Sequence, residues 1–399
     1  MKSKLVAFVW IGFLFIFSTG CSINLAEAIS QGKITQEEFN ETISIQVDRG
    51  LIFLPVTIHG KQYRFLFDTG APFGISQNLQ KELGFETVTK SNINDSDNNK
   101  KQVDWVRVSS VFIGGVEFSE QVAFVGDFEA NPYLKCLNVD GIIGSNLIRQ
   151  CNWTIDQDEM KLSFFSKIDS RKYTDHETVP FKTDFQYNLF IDPIIGKSKI
   201  KNVLVDYGSI GSVSLNDKIF NELRSRNDLG AKVFSEKGFQ QSGIVGKAVE
   251  LNRSITYTDS LSFKNQILEN VMVRTGKTVS VGNGLLSRYH LTIDWDNKNL
   301  YIAKNDKNSN ANYSFGLKMG YSLDKGVYVL SVIEGSDAFK KGVRSDMKVV
   351  KIDDIKFEGI NDFCQFVEYE TGDSLLLQLI DSEGNEISIE VNKTLLYEN

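Results

Sequence analysis

An internal repeat constrains this 399-residue chain more than any other feature. Asp-Thr-Gly at residues 68–70 returns as Asp-Tyr-Gly at residues 206–208, an offset of 138 residues. The same offset lays "LIRQCNWTIDQDEMKLSF" (147–164) on "LLSRYHLTIDWDNKNLYI" (285–302), and Gly144 on Gly282. Separated blocks that share one offset are hard to obtain by chance, and a fixed period points to repeated structural units. The segments between them correspond less tightly, with a gap placed differently in each copy. Two similar units are therefore expected, followed by an unrelated stretch after Ile302.

Each unit reads as strands. "IFLPVTI" and "QYRFLF" alternate and carry β-branched or aromatic residues, and "NLFIDPIIG" and "KIKNVLV" match them in the second copy. "HGK" and "GKSK" supply the hairpin turns. A short helix is expected after each Asp motif, at "SQNLQKELG" from Ser76 and "NDKIFNELRSR" from Asn216, with Asn216 as N-cap and Gly84 as C-cap. The polar run "SNINDSDNNKK" (91–101) is either a disordered loop or a tip that overhangs a cleft. "SEKGFQQSGIVGKAVE" (235–250), with Gly243 and Gly246 as pivots, holds the analogous place in the second copy.

A single Asp at a strand end is more often a turn or a cap than a catalyst. Here Gly70 and Gly208 follow directly, and sharp turns there bring main-chain N–H groups near the carboxylates. If the copies pack about a pseudo-twofold axis, Asp68 and Asp206 meet on it. Two carboxylates about 3 Å apart share one proton and titrate as a unit. The charged member can take a proton from a water while the neutral one serves a substrate carbonyl, and the pair then returns a proton to the leaving nitrogen. No metal, serine or histidine is needed, which suits a chain with three histidines. The bland alternative is a duplicated β fold whose Asp residues only satisfy turns.

"FLFDTGAPFGIS" and "VDGIIGSNLI" resemble motifs of the pepsin and retropepsin-like aspartic proteases. The resemblance spans about residues 43–304 and is stronger in the first copy. It implies that Asp68 and Asp206 form the catalytic dyad, supported by Thr69, Gly70, Gly208 and Ser209. Thr69 would grip the opposite lobe by its hydroxyl, and Gly144 would permit a tight strand crossing behind the Asp loop. Ser209, where the first lobe has Ala71, could hydrogen-bond an Asp oxygen. The second copy departs from the pattern at Tyr207, where the family has Thr or Ser, and "VGNGLL" (281–286) copies "DGIIGSNLI" loosely. A phenol cannot copy the short hydroxyl without moving the backbone; pointing outward would leave the grip one-sided. Either an enzyme works with divergent support, or the second lobe has drifted and the protein binds peptide without cutting it.

After Ile302 the composition changes. "AKNDKNSNANYS" (303–314) is a polar linker. "GVYVLSVIEGSDAFKKGV" and "SDMKVVKIDDIKF" then resemble a PDZ domain of the bacterial protease type, with Ser345 where a Gly is common. "FCQFVEYE" would be its helix, and "SLLLQLID" and "EISIEV" would close the sheet. The resemblance implies a sheet edge beside a helix, where an extended peptide adds as a strand. The carboxylate-holding loop should lie near residues 322–325. The bland alternative is a packing module that steadies the catalytic lobes and binds nothing.

At the N-terminus, Lys2 and Lys4 precede "LVAFVWIGFLFIF" (5–17), which is short for a membrane span. Gly20 and Cys21 then resemble a bacterial lipoprotein signal with Cys21 lipidated, although Ser18 departs from it. An ordinary signal peptide with a chance cysteine and an uncleaved anchor are the alternatives. Cys136, Cys151 and Cys364 cannot all pair within one chain. A Cys136–Cys151 disulfide is possible in an oxidising compartment, but unpaired buried cysteines are the preferred reading. No Cys and His group has metal-ligand spacing, and no phosphate-binding loop or dinucleotide fingerprint is present. A formal net charge of -7 with scattered Lys and Arg speaks against nucleic acid.

The chain is thus expected to be mostly β, with two duplicated aspartic-protease-like β lobes forming a bilobal cleft and a C-terminal PDZ-like α+β domain. The expected segments are a signal peptide (1–20), a tether (21–42), the first lobe (43–170), the second lobe (178–304), a linker (305–314) and the PDZ domain (315–396). The expected function is that of an aspartic endopeptidase of the cell envelope, monomeric and lipid-anchored through Cys21 on the periplasmic or outer-membrane side. Its partners would be a polypeptide in the interlobe cleft and a peptide C-terminus at the PDZ domain, with no cofactor, metal or nucleic acid. The rival is a noncatalytic peptide-binding envelope protein with a degenerate protease body, for which Tyr207 is the best support. A protease completed by dimerisation is disfavoured, because each chain carries both halves.

Overall fold

Apolar alternation sets the strands that carry the two Asp motifs. The computed structural model describes residues 24–241, 243–305 and 313–395; the expected signal peptide and Cys21 lie outside the described residues. Leu51–Ile58 and Lys61–Phe67 form a hairpin in register from Phe53↔Leu66 to Ile58↔Lys61. His59 and Gly60 turn it with φ of 50° and 77°, the hand that matches strand twist. Lys61–Phe67 pairs in parallel with Gly141–Ile143, which pairs antiparallel with Gly74–Ser76. In the second half Val203–Asp206 pairs in parallel with Ser280–Gly282, which pairs antiparallel with Val213–Leu215.

Both short helices form where the capping residues put them. Gln77–Leu83 starts at Ser76, whose hydroxyl accepts the Leu79 N–H at 3.0 Å, and ends at Gly84 with φ 68°. Asp217–Ser225 starts at Asn216, whose side chain accepts the Ile219 N–H at 2.9 Å. These bonds satisfy N–H groups that the first helical turn leaves free.

The halves meet in a separate sheet. Asn152–Asp156 runs antiparallel to Tyr289–Asp294, centred on Thr154 opposite Thr292, with the two hydroxyls 2.7 Å apart. Thr292 is the residue 138 positions after Thr154, so equivalent residues of the two repeats meet each other. One core runs through both halves and includes Phe67, Trp153, Phe164, Val205, Tyr207 and Leu291.

Three segments sharpen or correct the expectation. The polar run is a tip and not a disordered loop: Glu86–Asn94 and Lys100–Ile113 form a long hairpin whose turn is closed by the Asp95 side chain, which accepts the N–H groups of Asp97 and Asn99. That tip reaches the second half, where Asp97 Oδ2 accepts the Gly243 N–H at 2.7 Å and Asp95 Oδ2 accepts the Val245 N–H at 3.2 Å. The stretch expected as a tether is built into the fold from residue 24 onward. Its Leu25–Ser30 helix buries Ala28 and Ile29, Lys33–Ile34 pairs with Val116–Gly126, and Asn40–Ser44 pairs with Lys161–Phe165.

The cysteines supply the third correction. Cys136 does not pair with Cys151 and is not free; it is disulfide-bonded to Cys364, 228 residues away in sequence. The Pro132–Cys136 helix packs against the Ile360–Glu368 helix and brings the Cα atoms within 4.7 Å. Cys151 is free and buried, as expected. The C-terminal strands join the rest through a sheet as well as a disulfide: Gly326–Ile333 pairs antiparallel with Phe234–Gln240, in register Glu236↔Ile333.

Candidate active site

Strand alternation decides where the acidic pair points. Phe65 and Phe67 enter the common core, so Leu66 and Asp68 face the other side of their sheet. Val203 and Val205 enter the same core, which turns Leu204 and Asp206 to the other side in the second half. The two carboxyls lie close enough to act on each other's protonation. Asp68 Oδ1 accepts the Gly70 N–H at 2.7 Å, and the Ala71 and Gly208 N–H groups lie near enough to favour its charged form. The Gly208 N–H likewise favours the charged form of Asp206.

The two glycines are needed for closeness. A Cβ on Gly70 would lie 2.8 Å from Asp206 Cγ, and one on Gly208 would lie 2.3 Å from Asp68 Cγ. Each half thus presents bare backbone to the carboxylate of the other half. Behind the loops the strands cross as tightly. A Cβ on Gly144 would sit 2.1 Å from the Pro72 carbonyl carbon, and one on Gly282 would sit 2.4 Å from the Gly211 oxygen.

Burial disfavours ionisation of both carboxyls. It pushes the Asp68 carboxyl above the usual carboxylate range, opposed by the Gly70 N–H and by Asp206. Burial pushes Asp206 well up, and the adjacent Asp68 charge adds to it. Two buried carboxyls this close cannot both ionise cheaply.

Thr69 bonds across to the other half. Its hydroxyl donates to the Val205 carbonyl at 2.6 Å and accepts the Tyr207 N–H at 3.1 Å. Tyr207 does not return the grip, because its hydroxyl is at the end of a ring. The ring does not point outward either. It is fully buried, edge-on to Phe67 at 5.8 Å, and its hydroxyl has no hydrogen-bond partner. Apolar contact in the shared core wins over exposure of one hydroxyl. Ser209 stands in the same loop but does not reach a carboxylate; its Oγ accepts the Gly211 N–H at 3.4 Å.

Two residues near the pair had no place in the sequence reading. Asn146 is buried, accepts the Phe73 N–H at 2.6 Å and donates to the Val122 carbonyl at 3.1 Å, tying the loop after Asp68 to its neighbours. A polar residue inside the apolar run "IIGSNLI" was its only signal. Arg274 sits beside Gly211, in the loop that follows Asp206. One Arg in "VMVRT" carries no signal, since an alternating strand exposes such positions routinely. A separate depression lined by Glu38, Phe39, Thr154, Ser163 and Tyr173 contains none of these residues.

A family model described as an aspartyl protease matches residues 54–147. This region is aspartyl-protease-like, and it contains Asp68, Thr69, Gly70 and Gly144. The match stops before Asp206, so the partnership of the second carboxyl rests on geometry. No curated protein matches the chain.

Proposed function

We propose that this chain is an aspartic-type endopeptidase with two lobes related by duplication, in which Asp68 and Asp206 activate a water. The observation that carries the reading is the mutual one: the carboxyls act on each other, and each lies against the glycine of the opposite half. The ionised member takes the proton of a water as its oxygen attacks the peptide carbonyl, and the protonated member hydrogen-bonds the carbonyl oxygen. The proton taken from the water then passes to the leaving nitrogen as the C–N bond breaks. Gly70, Gly208 and Thr69 hold the pair in place; Ser209 acts only through the loop backbone.

The substrate is an extended polypeptide held between the lobes. The contact of the 95–99 tip with the 243–245 loop would have to part to admit it. The C-terminal strands and the Ile360–Glu368 helix are read as a PDZ-like domain. The Cys136–Cys364 bond and the Tyr133 hydroxyl, which donates to the Met319 carbonyl at 2.7 Å, support a steadying role for it. A disulfide fits an extracytoplasmic protein, in keeping with a lipid anchor at Cys21 in the cell envelope and a monomer complete in one chain.

The one-sided grip at Tyr207 favours a second reading, a peptide-binding protein without catalysis. Expression of residues 22–399 and incubation with unfolded protein between about pH 4 and about pH 8 separates the two. Endopeptidase action predicts cleavage by the unaltered protein and its loss in both Asp68→Asn and Asp206→Asn. Cleavage that survives in either variant would remove the dyad mechanism, and retained binding without any cleavage would favour the second reading.

A further inference from the structure

The sheet face that carries Asp206 also carries an unbalanced group of charges. Along Val271–Thr275, Val271 and Val273 enter the core, so Met272 and Arg274 take the opposite face. Register places that face. Arg274 lies opposite Ser214, Ser214 opposite Ser280, and Ser280 opposite Leu204, which shares its side of the strand with Asp206. A Cβ on Gly211 would lie 2.4 Å from Arg274 Nη2, so the guanidinium covers the loop that follows Asp206.

On the same face Glu236 is buried and already engaged. It accepts Lys318 Nζ at 2.9 Å and the Ser331 hydroxyl at 2.7 Å, and it pairs with Arg253 at 3.4 Å. The Arg274 side chain makes no hydrogen bond or ion pair among the described residues; Glu236 and Asp206 act on it only from a distance. Burial, then the neighbouring Arg253 charge, brings its guanidinium down to about 10, which leaves it positive at neutral pH. A cation in such a place without a partner is costly to keep. Its planar fork matches a carboxylate bidentately. Asp206 lies against Asp68 and feels the Arg274 charge without contacting the guanidinium, which leaves the fork open.

We propose that Arg274 is a specificity-determining residue that receives the carboxylate of a substrate Asp or Glu close to the scissile bond. The inference rests on the endopeptidase reading. The acidic residue lies within about two positions of the bond cut, because successive residues of an extended chain advance about 3.3 Å. The enzyme therefore selects acidic segments from unfolded chains.

The test uses peptide pairs that differ only by Glu against Gln, moved through each position flanking a cleaved bond, with kcat/KM read by mass spectrometry. At one position the Glu peptide is cut about tenfold or more faster, as a hydrogen-bonded charge pair implies. Arg274→Gln removes the difference, Arg274→Lys keeps part of it, and Arg274→Glu shifts preference to a Lys peptide. The comparison within the unaltered protein does not depend on any variant folding. Equal cutting of Glu and Gln peptides at every position overturns the inference and leaves the endopeptidase reading standing. A preference unchanged by Arg274→Gln overturns it too. If nothing is cut, fluorescence anisotropy on Asp68→Asn decides: tighter binding of the Glu peptide that Arg274→Gln abolishes keeps the Arg274 assignment while catalysis fails, and equal binding ends both.

Discussion

At the scale of single residues, the buried carboxyl pair fixes the sign of two pH effects. Asp206 is raised in the folded protein, so between its ordinary value of 3.8 and its folded value the native state holds a proton that the unfolded chain releases. Stability from this site is greatest below the unfolded value and falls as pH rises toward the folded one. Asp206→Asn removes that loss. Its melting temperature should exceed that of the unaltered protein near pH 7, and the gap should vanish near pH 3 in calorimetry, at about an unfolded carboxyl's pKa. For catalysis the pair needs one proton, so the alkaline limb of kcat/KM should lie above the ordinary carboxylate value of about 4. Tyr207 gives a separate prediction. Its buried hydroxyl has no partner, so Tyr207→Phe should be neutral or more stable by about 1 kcal/mol in urea melts. Tyr207→Thr restores a short hydroxyl but empties the space beside Phe67, and should lose about 3 kcal/mol or more.

At the scale of elements, legibility follows from how local the signal is. The strands and both helices were readable because alternation and caps are written in adjacent residues: Ser76, Gly84 and Asn216 each act within a turn of themselves. The Asp95 turn was ambiguous because its side chain supplies bonds that composition does not display. The closeness of Asp68 and Asp206 was legible through the repeat, but the fate of Tyr207 and Ser209 was not. Those depend on what the core admits. The charge row across Lys318, Ser331, Glu236, Arg253 and Arg274 was invisible, since it exists only when separate strands are placed side by side. Burial opposes the Glu236 charge, but Lys318 and Arg253 outweigh it and hold the carboxyl down to about 2. Stability from Glu236 is therefore present above its ordinary value of 4.5 and lost as pH falls through about 2. Glu236→Gln should cost about 3 kcal/mol at neutral pH, as removal of one partner of a buried pair does. Chemical denaturation at several pH values should show the deficit shrinking as the solution is acidified.

At the scale of the whole molecule, the C-terminal strands are fastened from two sides. One fastening is the sheet joined at Glu236↔Ile333. The other is the Pro132–Cys136 helix, whose Tyr133 ring meets Phe363 at 5.3 Å and whose Cys136 is bonded to Cys364. Arg49 adds a bond to the Val367 carbonyl at 2.6 Å. The Pro132–Cys136 helix touches both the Leu317–Ser322 strand and the Ile360–Glu368 helix. The Pro132–Cys136 helix therefore bridges these two C-terminal elements. No repeat or motif could announce this, because a bond across 228 residues leaves no local trace. A crosslink over so long a loop restricts the unfolded chain strongly, and its removal by Cys364→Ser should cost about 2–4 kcal/mol. Calorimetry with and without reductant checks the origin of the loss. Reductant should lower the melting temperature of the unaltered protein to about that of Cys364→Ser and leave the variant unmoved. A melting temperature insensitive to both changes would mean that the sheet and the Tyr133–Phe363 contact hold the C-terminal strands without help from the bond.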